Sequence, residues 1–225
     1  MAGKISEERK INLLKSIKRL QAYEEIQNNM GRCVVAYNFR DADKVLSHFA
    51  LGKPDVSLEY ADEGVFEGPE AVRQIVHEVV GKTVKVGEMM DIQLNTPMIE
   101  VAEDLETAKA VWWAPGAGAI PQEEGLPKAI WNWGMIAADF IFEDGSWKIW
   151  HMHWFRLFKC SYEKGWVEDT SMINRLNTPV HPLAKPSTYH NPYSPLSIRE
   201  GIPACPRPYA TWTDSNWMLE RDKSK

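Results

Sequence analysis

The chain is poor in cysteine: among 225 residues there are three, Cys33, Cys160 and Cys205, odd in number, far apart and without a C-x-x-C pair. That excludes a disulfide framework and a zinc knuckle. Basic residues are not in excess. The 26 Lys and Arg are scattered among 31 Asp and Glu, the net charge is −5, and no stripe of positive charge is offered to a phosphate backbone. Nucleic acid is therefore not an expected partner. Long apolar runs are also missing. None approaches the roughly 20 residues a membrane span needs, and the first residues, "MAGKISEERK", are charged where a secretory leader is apolar. A cytoplasmic location without membrane contact is the expectation. What is abundant is hydrophobic and aromatic residue, 44% and 11%, with ten tryptophans. That suffices for one well-buried domain and an appendage.

Ser6 as N-cap, with Glu7 and Glu8 in the first turn, precedes apolar residues at steps of three and four from Ile11 to Tyr37, the pattern of an amphipathic helix. A single helix over 6–38 would be close to about 50 Å long, so either Gly31 marks a kink or the first turns project toward a partner chain. Asp41 caps a short second helix ending at Phe49. "SLEYADEGVFEG" alternates and turns at Asp62-Glu63-Gly64, a hairpin. Pro69 opens "PEAVRQIVHEVV", with Val72, Ile75, Val76 and Val79 on one face. Then "MMDIQLNTPMIEVA", "TAKAVWWAPG", "AIWNWGMIAADFIFE" and "WKIWHMHWFRLF" read as strands, with "EDGS" a tight turn between the last two. Helices followed by an antiparallel meander make an α+β domain over 6–160.

Residues 161–225 differ in character. Eight of the 14 prolines fall in the last 50 residues, yet Tyr189, Tyr193, Tyr209, Trp212 and Trp217 are there too. A tail this aromatic is expected to be an ordered, extended Pro-rich strap laid over the domain or over a neighbouring subunit.

Strict alternation in "WKIWHMHWF" puts Trp147, Ile149, His151, His153 and Phe155 on one face and Lys148, Trp150, Met152 and Trp154 on the other. If the first set faces a pocket, two imidazoles stand ready to move protons near neutral pH; otherwise they fill a half-wet sheet face. Counting across the turn, the partner of position 151 falls near 138 or 139, so Asp139 is a candidate to orient an imidazole, although a one-residue slip reverses the face. Tyr37, at the end of the long helix, is a candidate proton donor or core tyrosine. His-x-His on a strand also serves as two arms of a cupin-like metal site. The long N-terminal helices and the lack of a glycine-rich barrel pattern speak against that, and no metal is expected. No G-x-S-x-G appears, and the cysteines lack an obvious base, so no nucleophile is assigned.

The segments "AYNFRDADKVLSHF", "YADEGVFEGPEAVRQ", "TPMIEVAEDLETAKAVWW" and above all "DFIFEDGSWKIWHMH" resemble the SnoaL-like members of the nuclear-transport-factor-2-like superfamily over about residues 10 to 158. The resemblance implies a cone: a strongly curved sheet folded around helices, enclosing a deep apolar pocket. Relatives include scytalone dehydratase, steroid isomerase, bile-acid dehydratase and diarylpropane formaldehyde-lyases, alongside binding modules. The enzymes among them work without metal or organic cofactor. This chain has Tyr37-Asn38 where scytalone dehydratase has Tyr-Asp, and Asp91 and Gln93 near the place where many relatives have a histidine. The resemblance thus implies a cofactor-independent lyase that eliminates water or formaldehyde from a small hydrophobic aromatic molecule. The alternatives are a hydrophobic-ligand-binding module or an isomerase. His151, His153, Asp139 and Tyr37 are the catalytic candidates; Tyr60, Asp91, Gln93, Trp113, Trp131 and Trp133 are candidate pocket residues. A homodimer or homotrimer is expected from the surplus of tryptophans on a second sheet face.

Overall fold

A computed structural model describes residues 6–60, 62–173 and 181–221. Parts of the 161–225 appendage, 174–180 and 222–225, lie outside the described residues. Helix α1, Glu7–Asn38, starts where the Ser6 hydroxyl accepts from the Arg9 amide at 3.3 Å and runs through Gly31 without a break. Its second half is fastened to the core by Ile26, Met30, Cys33 and Val34. Its first half projects, leaving Ile11, Leu13, Leu14, Ile17 and Leu20 exposed. Asp41 caps α2, Ala42–Ser47, and Pro69 opens α3, Pro69–Val79. No described helix is long and apolar enough to cross a membrane.

Seven strands form one sheet: β1 Ser57–Tyr60, β2 Gly64–Glu67, β3 Met89–Ile92, β4 Asn95–Val101, β5 Thr107–Ile120, β6 Lys128–Glu143 and β7 Ser146–Ser161, in the order β2-β1-β7-β6-β5-β3, with β4 also on β5. The run read as one strand over 89–102 is two, broken at Gln93-Leu94, and both halves pair with β5. Asp144 and Gly145 take positive φ, 49° and 76°, giving the tight turn that starts the β6–β7 pairing at Glu143↔Ser146. One pairing departs from a meander: β1 runs parallel to β7.

The inner face of the sheet carries Ala108, Ala110, Trp112, Ile136, Ala138, Phe140, Trp147, Ile149 and Trp154, packed on α1, α2 and α3 in the main core. On the outer face, a second cluster of Val111, Met135, Ala137 and Phe155 is closed by Trp217 and Met218. These last two sit on a short 3-10 turn, Ser215–Leu219, of the tail. The tail is fastened by Lys185 to Val65 through two backbone hydrogen bonds, and by Tyr193 N to Leu157 O at 2.7 Å. Near β5, Glu103 N donates to Tyr209 O at 3.1 Å. These backbone bonds satisfy groups that a segment without strands or long helices would otherwise leave unpaired.

Candidate active site

The β6–β7 register makes Asp139 the partner of His151, then Phe140 the partner of Ile149, so Trp150 is an extra residue in β7. This bulge reverses the alternation. Trp147 and Ile149 point into the cone, whereas His151, His153 and Phe155 point outward. Strict alternation had put all five on one face; the inserted Trp150 is the physical reason they divide. A second irregularity, between Trp133 and Gly134, sits opposite Arg156. A Cβ at Gly134 would lie 2.3 Å from the Phe155 carbonyl oxygen, so only glycine fits the pinch.

Inside the cone the chemistry is carried by another set. Arg156 is buried and makes an ion pair with the buried Asp62 in the β1–β2 turn, with Glu63 Oε1 at 3.6 Å as a second acid. Its guanidinium lies over the Trp154 ring, 4.5 Å from the centroid. Tyr37 meets the same indole edge-on at 6.4 Å, and Tyr60 meets it tilted at 6.0 Å. Burial raises the Tyr37 phenol above its usual range, opposed by the positive charges of Arg156 and Arg40. The Tyr60 phenol is raised well above it, again by burial first. Both phenols are thus protonated at neutral pH. Cys33, on the same stretch of α1, is pushed by burial to about 12 and is a poor nucleophile. Three buried polar atoms on this face have no partner among the described residues: Trp154 Nε1, Arg156 Nε and Asn132 Oδ1. Two donors and one acceptor left open in so enclosed a place are groups prepared for a guest or for water.

Tyr37 and Tyr60 both lie against Trp154 on the inner side of the sheet. Asp91 and Gln93 are exposed on and beside β3; Asp91 is tied to α1 through Asn38, whose amide also bonds both backbone groups of Ile92. Neither enters the cone cluster. Trp113, Trp131 and Trp133 fall on the outer face rather than in the pocket, because they share the parity of Met135 and Ala137 along unbroken β5–β6 pairing. Trp133 stacks on Phe158 at 6.1 Å and Trp131 meets Tyr162 tilted at 5.9 Å, while Arg199 of the tail covers Trp113 at 5.1 Å.

His151, His153 and Asp139 are likewise beneath the tail. His151 Nδ1 is 3.0 Å from Asp139 Oδ2, and the other Asp139 oxygen accepts from Trp217 Nε1 at 2.8 Å. His153 Nδ1 is 3.3 Å from Glu59 Oε2, and Glu59 accepts from the Thr188 amide and hydroxyl. Burial pushes His153 down to about 3 and Glu59 up. At neutral pH His153 is an uncharged imidazole of very low basicity, which ill suits a general base. Among the described residues no three His, Cys, Asp or Glu are grouped to hold a metal ion.

Arg156, Asp62 and Trp154 were not among the candidate site residues read from the sequence. Their signal is present: an arginine in the apolar run "HWFRLF" requires an acid once the strand is buried, and "ADEG" in the preceding hairpin supplies two. A groove of about 870 Å³ runs along the second half of α1, bordered by α2, Leu94 and Pro97, with Trp112 of the inner face among its walls.

A curved sheet closed by three helices around phenols and an ion pair defines a nuclear-transport-factor-2-like cone. Residues 18–153 match the family model of the SnoaL-like domain, and the chain belongs to that family. Its fold is similar to that of a scytalone dehydratase-like protein from Novosphingobium aromaticivorans DSM 12444, with a TM-score of 0.54 and 15% identity over 65% of this chain and 91% of that one. It is also similar to the hexachlorocyclohexane dehydrochlorinase LinA-type3 from Novosphingobium barchaimii LL02, with a TM-score of 0.53 and 15% identity over 65% and 93%. No curated protein matches the chain in sequence.

Proposed function

We propose that the chain is a cofactor-independent lyase that takes a hydroxylated aromatic or polycyclic molecule into the cone and eliminates water from it. Loss of formaldehyde from a diarylpropane-type skeleton would use the same groups. The observation that carries this reading is the buried Arg156, paired with Asp62, laid on Trp154 and adjoined by two protonated phenols. Trp154 offers a flat apolar surface to an aromatic substrate. Asp62 takes the proton from carbon or oxygen. Arg156 Nε and Trp154 Nε1, both unpartnered, donate to the oxygen on which charge develops. Tyr37 gives its proton to the departing oxygen, as burial keeps the phenol protonated. Both structural relatives are named for eliminations, a dehydratase and a dehydrochlorinase, and a fold shared with them accommodates such chemistry.

The test is turnover. Diaryl and polyphenolic alcohols are incubated with the purified chain, while ultraviolet absorbance reports new conjugation and mass spectrometry reports loss of water or formaldehyde. An isomer of unchanged mass, or binding without product, rejects the lyase. Retention of full turnover in both Tyr37→Phe and Arg156→Met, with folding verified, rejects the assignment of residues.

A further inference from the structure

From Ser6 to Gln21 every residue is exposed, although this stretch is the cap and first half of a helix that continues without a break into the core. A free-standing helix of about four turns is marginal in water and is normally held by burying one apolar face. Leu13, Leu14, Ile17 and Leu20 offer such a face and leave 43–71% of each side chain's residue open to solvent. We propose that this face is covered by the same face of a second copy of the chain, the two α1 helices crossing antiparallel at Ile17 to make a dimer.

The stripe points away from its own domain. Leu13 precedes Ala22 by nine residues, and Ile17 precedes Ile26 by nine, which is about two and a half helical turns in each case. Ala22 and Ile26 are buried in the main core. Leu13 and Ile17 therefore look out on the opposite side of the same rod. A straight α1 cannot bury both sets against one domain, and a second chain on the far side buries the other set without disturbing the first.

Charge selects the second copy and its direction. Lys15, Lys18 and Arg19 lie off the stripe; the charged residues in line with it are Lys10, about two turns before Ile17, and Glu24, about two turns after. A twofold axis at Ile17 makes every contact reciprocal. Leu14 then meets the partner's Leu20, Lys10 meets the partner's Glu24, and Arg9 meets the partner's Glu25. Lys10 already has Glu7 at 2.7 Å on its own helix, but an exposed pair of that kind is weak and leaves the ammonium able to take a second carboxylate. Parallel pairing would bring Lys10 to Lys10 and Glu24 to Glu24, and like charges oppose it. An anionic membrane, the other surface that an exposed amphipathic helix can meet, would have to accept Glu24 on the same face.

Sedimentation equilibrium of the full chain at micromolar concentration should show a dimer. Ile17→Glu should give a monomer of unchanged helix content by circular dichroism. Lys10→Glu and Glu24→Lys should each weaken the dimer about tenfold or more, and the two reversals in one chain should restore it, because the pair is remade with its signs exchanged. A chain that is monomeric throughout, a dimer that Ile17→Glu leaves intact, or a double reversal that binds no tighter than the single ones overturns the proposal. So does a monomer that floats with phosphatidylserine–phosphatidylcholine vesicles.

Discussion

Trp217 donates its indole hydrogen to Asp139 across 78 residues of sequence, at 2.8 Å and fully out of solvent. This one bond ties the tail to the central strand of the outer face and occupies the carboxylate oxygen that His151 does not use. Trp217→Phe keeps most of the packing against Val111 and Phe155 but removes the donor. A hydrogen bond to a buried charge contributes about 1.5–3 kcal/mol. Urea denaturation should show a loss in that range, accompanied by faster proteolysis in the tail.

Arg156 and Asp62 give a sharper test. Removing only the cation leaves a buried carboxylate without its principal counter-ion, so Arg156→Met should cost about 3–5 kcal/mol. Replacing both partners, Arg156→Met with Asp62→Leu, should recover much of that stability without recovering turnover. A double variant as unstable as the single one would show that the charge pair is not the cause.

Tyr37→Phe should fold normally, since the ring keeps its edge contact with Trp154 and only the phenol oxygen is removed. Its turnover should fall about 10²–10⁴-fold if the phenol delivers a proton. In the unaltered protein the alkaline limb of the rate profile should lie above pH 10, because burial raises the Tyr37 phenol.

His153 supplies a pH dependence of stability. Its folded value, about 3, lies below the unfolded imidazole's 6.5, so between those limits the unfolded chain binds a proton that the folded one refuses. Stability is therefore greatest above pH 6.5 and falls on acidification, by up to about 1.4 kcal/mol per pH unit. Glu59, whose pKa burial raises, acts oppositely: its folded form takes up a proton first, so it offsets part of the loss from its raised value downward. His153→Gln should flatten the acid side of the curve measured by urea midpoints between about pH 7 and 4.

Gly134→Ala is expected to cost about 1–3 kcal/mol by overpacking against the Phe155 carbonyl. Thermal denaturation measures it directly.

Much of the architecture was legible because it rests on local signals. The Ser6 and Asp41 caps, Pro69 at the head of α3 and the Asp144-Gly145 turn act within a few residues of themselves. The partnership of Asp139 with His151 followed from counting back across that turn. Which way the pair faces did not, because a single bulged residue, Trp150, exchanges inside for outside, and no pattern in "WKIWHMHWF" announces a bulge. Arg156 was missed for a related reason: its acid lies 94 residues upstream, and only the parallel β1–β7 pairing brings the two together. The split of the strand near Gln93 was hidden by alternation that continues on both sides of it.

That parallel pairing also bears on how the molecule is made. The β1–β2 hairpin leaves the ribosome some ninety residues before the strand that must receive it, with Leu58, Tyr60 and Phe66 bare in the interval. Closing so distant a contact is entropically slow. The nascent chain must therefore carry an unsealed strand edge until β7, Ser146–Ser161, has emerged, which makes synthesis, more than the finished fold, its period of greatest exposure to aggregation.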